Sequence, residues 1–451
     1  MILTQFPIPN SPFPKNRNFY HKFGRVVFHW CWVIFLSFSL IFLGGCQPNS
    51  ASGNETIKLT LWHGINPPEN RDVFNALVSK FNQTHPNIQV ESLYIGQPDG
   101  QLPKILTAVV GNVPPDILWF VPQLTGQLAE LQAIRPLEDW LNRSPLKAEI
   151  DPALFESMEL NSHIWSIPMA TNNAAIFYRP TLFKKAGIIK LPETWDEFYE
   201  VAKKLTQDLN GDGHTDQHGM FLSLGKGEWT VFAWLPFIFS AGGELLQQGQ
   251  PNLVNSGAIK ALQFGNNLVK EGLAILSAPE RGYELDNFLA GKAAMQVTGP
   301  WTLGQLRQTG VDYGVFPIPA LKQRAAVVGG ESLFVFKTTP EREQAATKFL
   351  EYVLSEEFQT DWALGTGYLP INVKAQQSEK YQAFVRENPV LDVFLQQMKW
   401  ARSRPIISGY TRLSDNLGRA IEASLLDKRS PKDALQESQQ RLELFFATKQ
   451  S

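Results

Sequence analysis

Cysteine is nearly absent, with two residues in 451. Cys31 lies inside an apolar segment and Cys46 ends it, so no disulfide framework can staple the body of the protein. The short signatures of common catalytic sites are missing too. No G-x-S-x-G elbow, H-E-x-x-H or C-x-x-C occurs. "AGKAA" and "LGKGEW" lack the upstream glycine and the Ser/Thr of a phosphate-binding loop. The seven histidines are scattered. These absences point toward binding rather than turnover. Paired carboxylates leave no readable pattern, so a secreted glycosidase stays open on motif grounds. Positive charge is not in excess: 41 basic against 43 acidic residues give −2. A nucleic-acid binder needs a basic footprint, so this chain is a poor candidate for one. No internal repeat occurs.

One long apolar run is present. Residues 26–43, "VVFHWCWVIFLSFSLIFL", follow Lys15, Arg17, Lys22 and Arg25, with no acid upstream. At 18 residues the run is long for a signal core and just long enough to span a bilayer. "LGGC", Leu43 to Cys46, resembles the lipobox of bacterial lipoproteins, in which cleavage occurs before a lipid-carrying cysteine. The expectation is a lipoprotein signal peptide over 1–45, lipidation at Cys46, and a flexible polar tether over 46–55. The alternative is an uncleaved membrane helix; either way the body is exported. Without the leader's four bases, 37 basic against 43 acidic residues leave −6.

The body alternates strand and helix patterns. "IKLTLWH" alternates apolar and polar residues, and Val73, Phe74, Leu77, Val78 and Phe81 share one helical face. "PNIQVESLYIG" and "PPDILWF" read as strands, as do "KAAMQVTGPW" and "GESLFVF" further on. Thr194 and Glu197 form a capping box ahead of an amphipathic helix. Thr339-Pro340 and Ser430-Pro431 open two more helices. This pattern predicts α/β architecture with mostly parallel sheets.

One loop looks chemical. In "DLNGDGHTDQHG", Asp208, Asn210, Asp212 and Asp216 have the spacing of calcium-loop positions 1, 3, 5 and 9, with Gly213 at the turn. Gly219 stands where the bidentate glutamate belongs. The loop reads either as a structural calcium site or as a metal-free Asx-Gly turn cluster. No other cofactor is expected.

Taken in order, the motifs "LTLWHG", "NVPPDILWF", "IWSIPMATNNAAIFYRPTLFKKAG", "PETWDEF", "FLAGKAAMQVTGPW", "VVGGESLFVF", "GTGYLPIN" and "SPKDAL" resemble the family 1 extracellular solute-binding proteins. Those are the capture components of ABC importers for sugars and related polyols. The resemblance spans about 57–446 and implies a bilobal, periplasmic-binding-protein-like fold of type II. Lobe one is expected at 55–166 plus 300–354, and lobe two at 167–299 plus 355–451. It further implies a monomer on the periplasmic face of the membrane, a ligand closed between the lobes, and permease subunits as partners. A sensory partner in place of a permease is a further alternative.

A sugar offers an apolar face and a rim of hydroxyls, so its site needs aromatic platforms with fixed donors and acceptors. Trp301, after Gly299-Pro300, matches the family's principal stacking tryptophan. Trp119 and Phe120 end the "DILWF" strand, where the family presents an aromatic, and Trp229 in "GKGEW" is a further platform candidate. Asn172 and Asn173 follow the hinge crossing; Gly329 and Gly330 allow close backbone approach; Tyr368 supplies a hydroxyl. His63 and Asp99 are rim candidates. Arg412, in "SGYTRLSD", stands where the subfamily binding glycerol 3-phosphate and glycerophosphodiesters carries an arginine, so a phosphate clamp is the runner-up reading. Pro98, Asp99 and "LWFVP" depart from that subfamily's pattern.

Overall fold

The computed structural model of the protein describes residues 56–279 and 284–448; the leader, Cys46 and the tether lie outside them. The first alternating run folds as strand β1 (Ile57–His63), with Leu59, Leu61 and His63 turned inward. Helix α1 (Pro68–Thr84) buries Phe74, Leu77, Val78 and Phe81 on the face that the sequence spacing predicts. Strand β2 (Ile88–Tyr94), helix α2 (Pro98–Val110) and strand β3 (Ile117–Phe120) continue the alternation. All four residues of β3 are buried, as expected of an apolar run covered on both sheet faces.

Lobe one is a five-stranded sheet in the order β2-β1-β3-β10-β4, where β4 is Ile167–Pro168 and β10 is Ser332–Val335. Its first three strands are parallel, whereas β10 runs antiparallel to both β3 and β4. The start of β3 is pinned by Asp116. Its buried carboxylate accepts from the Thr60 amide at 2.7 Å and from Nε and Nη2 of Arg342 at 2.6 Å each.

Lobe two is a second five-stranded sheet in the order β7-β6-β8-β5-β9. These strands are β5 (Ala175–Tyr178), β6 (His218–Leu222), β7 (Ala274–Leu276), β8 (Ala293–Thr298) and β9 (Gly314–Phe316). Helix α3 (Trp195–Leu205) begins at the Thr194–Glu197 capping box read from sequence and buries Phe198, Val201, Ala202 and Leu205. Helices α4 (Glu228–Ser240) and α5 (Ser256–Lys270) complete its core. Helix α6 (Pro340–Leu354) has Thr339 as its N-cap, and helix α7 (Glu356–Thr366) follows it. Helices α8 (Tyr410–Leu425) and α9 (Pro431–Thr448) end the described chain.

Three chain segments cross between the sheets side by side. Thr171 and Leu369 exchange backbone hydrogen bonds at 3.1 and 2.9 Å, and Asn172 and Gly329 at 3.2 and 2.8 Å. The crossings therefore fall at about 169–174, 327–331 and 366–372. That corrects the expected lobe boundaries. Ile167–Pro168 pairs in the first sheet, Gly314–Phe316 pairs in the second, and α7 packs Phe358 and Trp362 into the first core. Sheet pairing decides lobe membership, and periodicity along the chain carries no record of it. Among the described residues, no helix is long and apolar enough to cross a membrane.

Candidate functional site

A cleft of about 480 Å³ opens between the sheets, within the size range of small-molecule sites. The end of β1 and β3 bring Gly64, Asn66 and Trp119 to it; α4 brings Glu228, Trp229 and Phe232. The crossings supply Asn172, Gly329, Gly330 and Tyr368. Trp301 follows β8 and touches the cores of both lobes.

The aromatic wall has a fixed shape. The Trp301 indole stands 5.8 Å from Trp229, nearly perpendicular at 88°, and 6.4 Å from both Phe232 and Tyr368. Trp229 Nε1 donates to Ser223 Oγ at 3.0 Å, which fixes that ring's tilt. The Trp301 carbonyl accepts from Asn70 Nδ2 of α1 at 3.1 Å, so a lobe-one helix anchors the residue. Its ring folds back over Gly299, where a Cβ would stand 2.0 Å from the indole. Gly299→Ala must therefore displace the ring. Ligand affinity, measured by calorimetry, should fall about tenfold, while the half-exposed indole swings out at a modest stability cost of about 1–3 kcal/mol.

The cleft floor is charged. Arg404, 3% exposed, pairs with Glu228 at 2.5 Å and lies 5.0 Å over the Phe232 ring. Glu228 also accepts from the Tyr410 hydroxyl at 2.8 Å and from Ser414 Oγ. Burial, and then the charge of Glu228, pushes the Tyr410 phenol far up, so it stays a donor. Arg404 Nε is buried and has no hydrogen-bond partner in the protein. An orphaned charged donor at a cleft floor is costly unless a ligand or water oxygen accepts from it.

Beside it stands Glu331, the first residue after the Gly329-Gly330 pair. Burial pushes its carboxyl up to about 7; the Arg404 charge and a hydrogen bond from the Tyr368 hydroxyl offset only part of this. The folded state thus holds a proton that the unfolded chain releases. Relative to Glu331→Gln, the wild type should keep its full stability below about pH 4.5 and lose about 1–3 kcal/mol as pH rises to 7. Denaturation midpoints at pH 4.5, 6 and 8 for both proteins measure this.

Comparison with known proteins fits a ligand cleft. The family model described as bacterial extracellular solute-binding protein matches residues 76–386. The chain belongs to the bacterial extracellular solute-binding proteins. It is 24% identical over 360 residues to the maltotriose-binding protein of Pyrococcus abyssi, covering 77% of this chain and 73% of that one. It is 23% identical over 416 residues to the sn-glycerol-3-phosphate-binding periplasmic protein UgpB of Escherichia coli, covering 87% and 93%. The crystal structure of UgpB from Mycobacterium tuberculosis with glycerophosphocholine superposes with a TM-score of 0.78 at 20% identity, over 87% of this chain and 99% of that one.

Of the residues that sequence proposes for this solute-binding protein, Trp301, Trp119, Trp229, Asn172, Gly329, Gly330 and Tyr368 all line the cleft. Gly329 earns its place by packing, since a Cβ there would meet Asn172 Oδ1 at 2.1 Å. Four others do not reach it. Phe120 points to the opposite face of β3 from Trp119, as neighbours in a strand must, and packs with Leu118 and Phe334. Asn173 is fully buried and ties lobe two together, donating to the Phe394 carbonyl at 2.9 Å and accepting from Gln397 at 2.7 Å. His63 is sealed under Phe74 and Tyr94, with Nδ1 accepting from the Ile65 amide at 3.3 Å; burial, then the nearby Arg71 charge, lowers it to about 4. Arg412 is exposed on α8 beside a surface hollow with Asp415, Arg419 and Arg441. The cleft's arginine is Arg404, which lies in the loop before that helix. The Asp99 side chain falls outside the described residues. Sequence reasoning missed Glu228, Phe232, Glu331 and Arg404. A signal existed for Glu331, an acid entering a strand whose four residues are all buried.

The Asx-Gly loop spends its oxygens on its own backbone. Asp208 accepts from the amides of Gly211 and Gly213 at 2.6 and 2.8 Å, and Asp216 from Leu209 at 2.8 Å. Asp212 accepts from His214 at 2.8 Å, and Asn210 from Asp212 at 2.8 Å. Gly211 and Gly213 take the positive φ values, +77° and +86°, that this winding demands. Among the described residues, no three carboxylate, histidine or cysteine side chains converge on one point. The Asx turns account for the loop's shape.

Proposed function

We propose that the protein captures a sugar or oligosaccharide between its lobes and delivers it to the membrane permease of an ABC importer. The observation that carries this is the Trp301–Trp229–Phe232 wall, an apolar platform facing a polar floor inside a cleft that both lobes build. A sugar's C–H face would lie on the indole, and its hydroxyls would meet Arg404 Nε, Asn172 and Glu331. Closure of the lobes then presents a surface to the permease, and ATP hydrolysis belongs to other chains. In this reading the chain works as a monomer, tethered to the periplasmic face of the membrane through acylated Cys46. The maltotriose-binding relative supports the carbohydrate reading. Glycerol 3-phosphate or a glycerophosphodiester is the second reading, favoured by the free Nε of Arg404 and by the two UgpB relatives.

Thermal-shift titration of the protein with malto-oligosaccharides and other sugars tests this. A ligand of the native state raises the melting temperature as RT ln(1 + [L]/Kd) requires. No shift with any carbohydrate at millimolar concentration contradicts the reading. Release of a chromophore from chromogenic glycosides would mark the protein as a glycosidase instead.

A further inference from the structure

We infer that Glu331 sets the ligand class of the cleft: its carboxyl, placed beside the Glu228–Arg404 pair, accepts hydrogen bonds from ligand hydroxyls and keeps phosphate-bearing ligands out. This rests on the solute-capture reading and decides between its two ligand classes.

The charge arrangement makes the argument. Arg404 is the cation that a phosphate would seek, and its guanidinium is already matched at 2.5 Å by Glu228. Glu228 is also occupied on its other side, since two hydroxyls, those of Tyr410 and Ser414, donate to it. A phosphate approaching Arg404 would therefore enter as a second anion on one guanidinium. Above about pH 7, where its carboxyl is ionised, Glu331 makes a third. It lines the same cleft, shares the Gly329–Arg404 corner of a small side chamber, and feels the Arg404 charge directly. Like charges crowded in a site of low dielectric repel strongly. A neutral polyol meets no such barrier. Its hydroxyl oxygens accept from Arg404 Nε while its hydroxyl protons go to Glu331, and the Tyr368 hydroxyl holds that carboxyl in place. Backbone geometry fixes Glu331 at this spot. Gly330 takes φ +110° with the Ala170 carbonyl 2.2 Å from where its Cβ would be, and β10 begins two residues later at Ser332.

The test uses the full chain in mild detergent, wild type and Glu331→Gln, with maltotriose, sn-glycerol 3-phosphate and inorganic phosphate as probes. Thermal shift is the readout, and far-UV circular dichroism confirms folding. Glu331→Ala serves as a second variant. The expected result is no shift of the wild type by either phosphate at 10 mM near pH 8, where Glu331 is ionised, and a clear shift of Glu331→Gln by glycerol 3-phosphate. The ratio of sugar to glycerol 3-phosphate affinity should fall at least tenfold in the variant. A wild type that binds glycerol 3-phosphate at pH 8, or variants as blind to phosphate as the wild type, overturns the inference. A wild type that binds no carbohydrate at all instead overturns the solute-capture reading, which the phosphate arms leave separate.

Discussion

Trp301→Ala should abolish most carbohydrate affinity, by a factor of about 100 or more, while leaving the fold intact. The indole touches both cores, faces Trp229, Phe232 and Tyr368 at 5.8 to 6.4 Å, and is half-exposed to the cleft. Aromatic anchors at the centre of a desolvated site typically carry about 2–4 kcal/mol of binding when truncated, which is a factor of about 30 to 1,000. Its structural role is smaller than its binding role because part of its surface already faces solvent. Calorimetric titration of the variant, alongside its denaturation midpoint, separates the two. A variant with near wild-type affinity would remove the stacking platform from the account.

Arg404→Ala should be the most destabilising single change in the cleft. It removes the guanidinium that faces Glu228 and Glu331 and that lies over the Phe232 ring. Breaking a buried ion pair from one side costs about 3–5 kcal/mol, because the surviving charge keeps its desolvation penalty. Arg404→Lys should recover little. A single ammonium cannot both reach Glu228 and present a second N–H toward the ligand position, and it stacks poorly on Phe232. Urea denaturation midpoints of the three proteins check this. Arg412→Ala, on the exposed face of α8, should change neither stability nor binding measurably.

The contrast between those two arginines shows what sequence could carry. Local rules were readable and correct: the Thr194–Glu197 box, the Thr339 cap, and the donation from Asp433 to Ser430 that opens α9 all depend on residues three apart. The order of motifs implied two α/β lobes, and both sheets are there. Aromatic candidates in turns and at strand ends mostly reached the cleft, because those ends point at the gap between the lobes. Phe120 failed for a reason of one residue. Its pairing opposite Ser332, with Trp119 opposite Leu333, fixes which of the two side chains faces the core side that opens to the ligand. The floor was illegible for a different reason. Glu228 and Arg404 lie 176 positions apart and meet only in the folded chain, where the loop before α8 lies against the start of α4. Arg412 stands where the resemblance implies an arginine, yet α8 starts at Tyr410 and turns it outward. Lobe membership failed likewise at 300–331 and 355–366, where antiparallel pairing and helix packing, neither visible in periodicity, assign the chain to the other side.

The most direct test of the central claim is a crystal structure of the protein with the carbohydrate that gives the largest thermal shift. The account predicts one sugar ring lying flat on the Trp301 indole, with hydroxyls within hydrogen-bond reach of Arg404 Nε and the Glu331 carboxyl. Sugar bound on an outer surface, with Trp301 and Arg404 untouched, would contradict it.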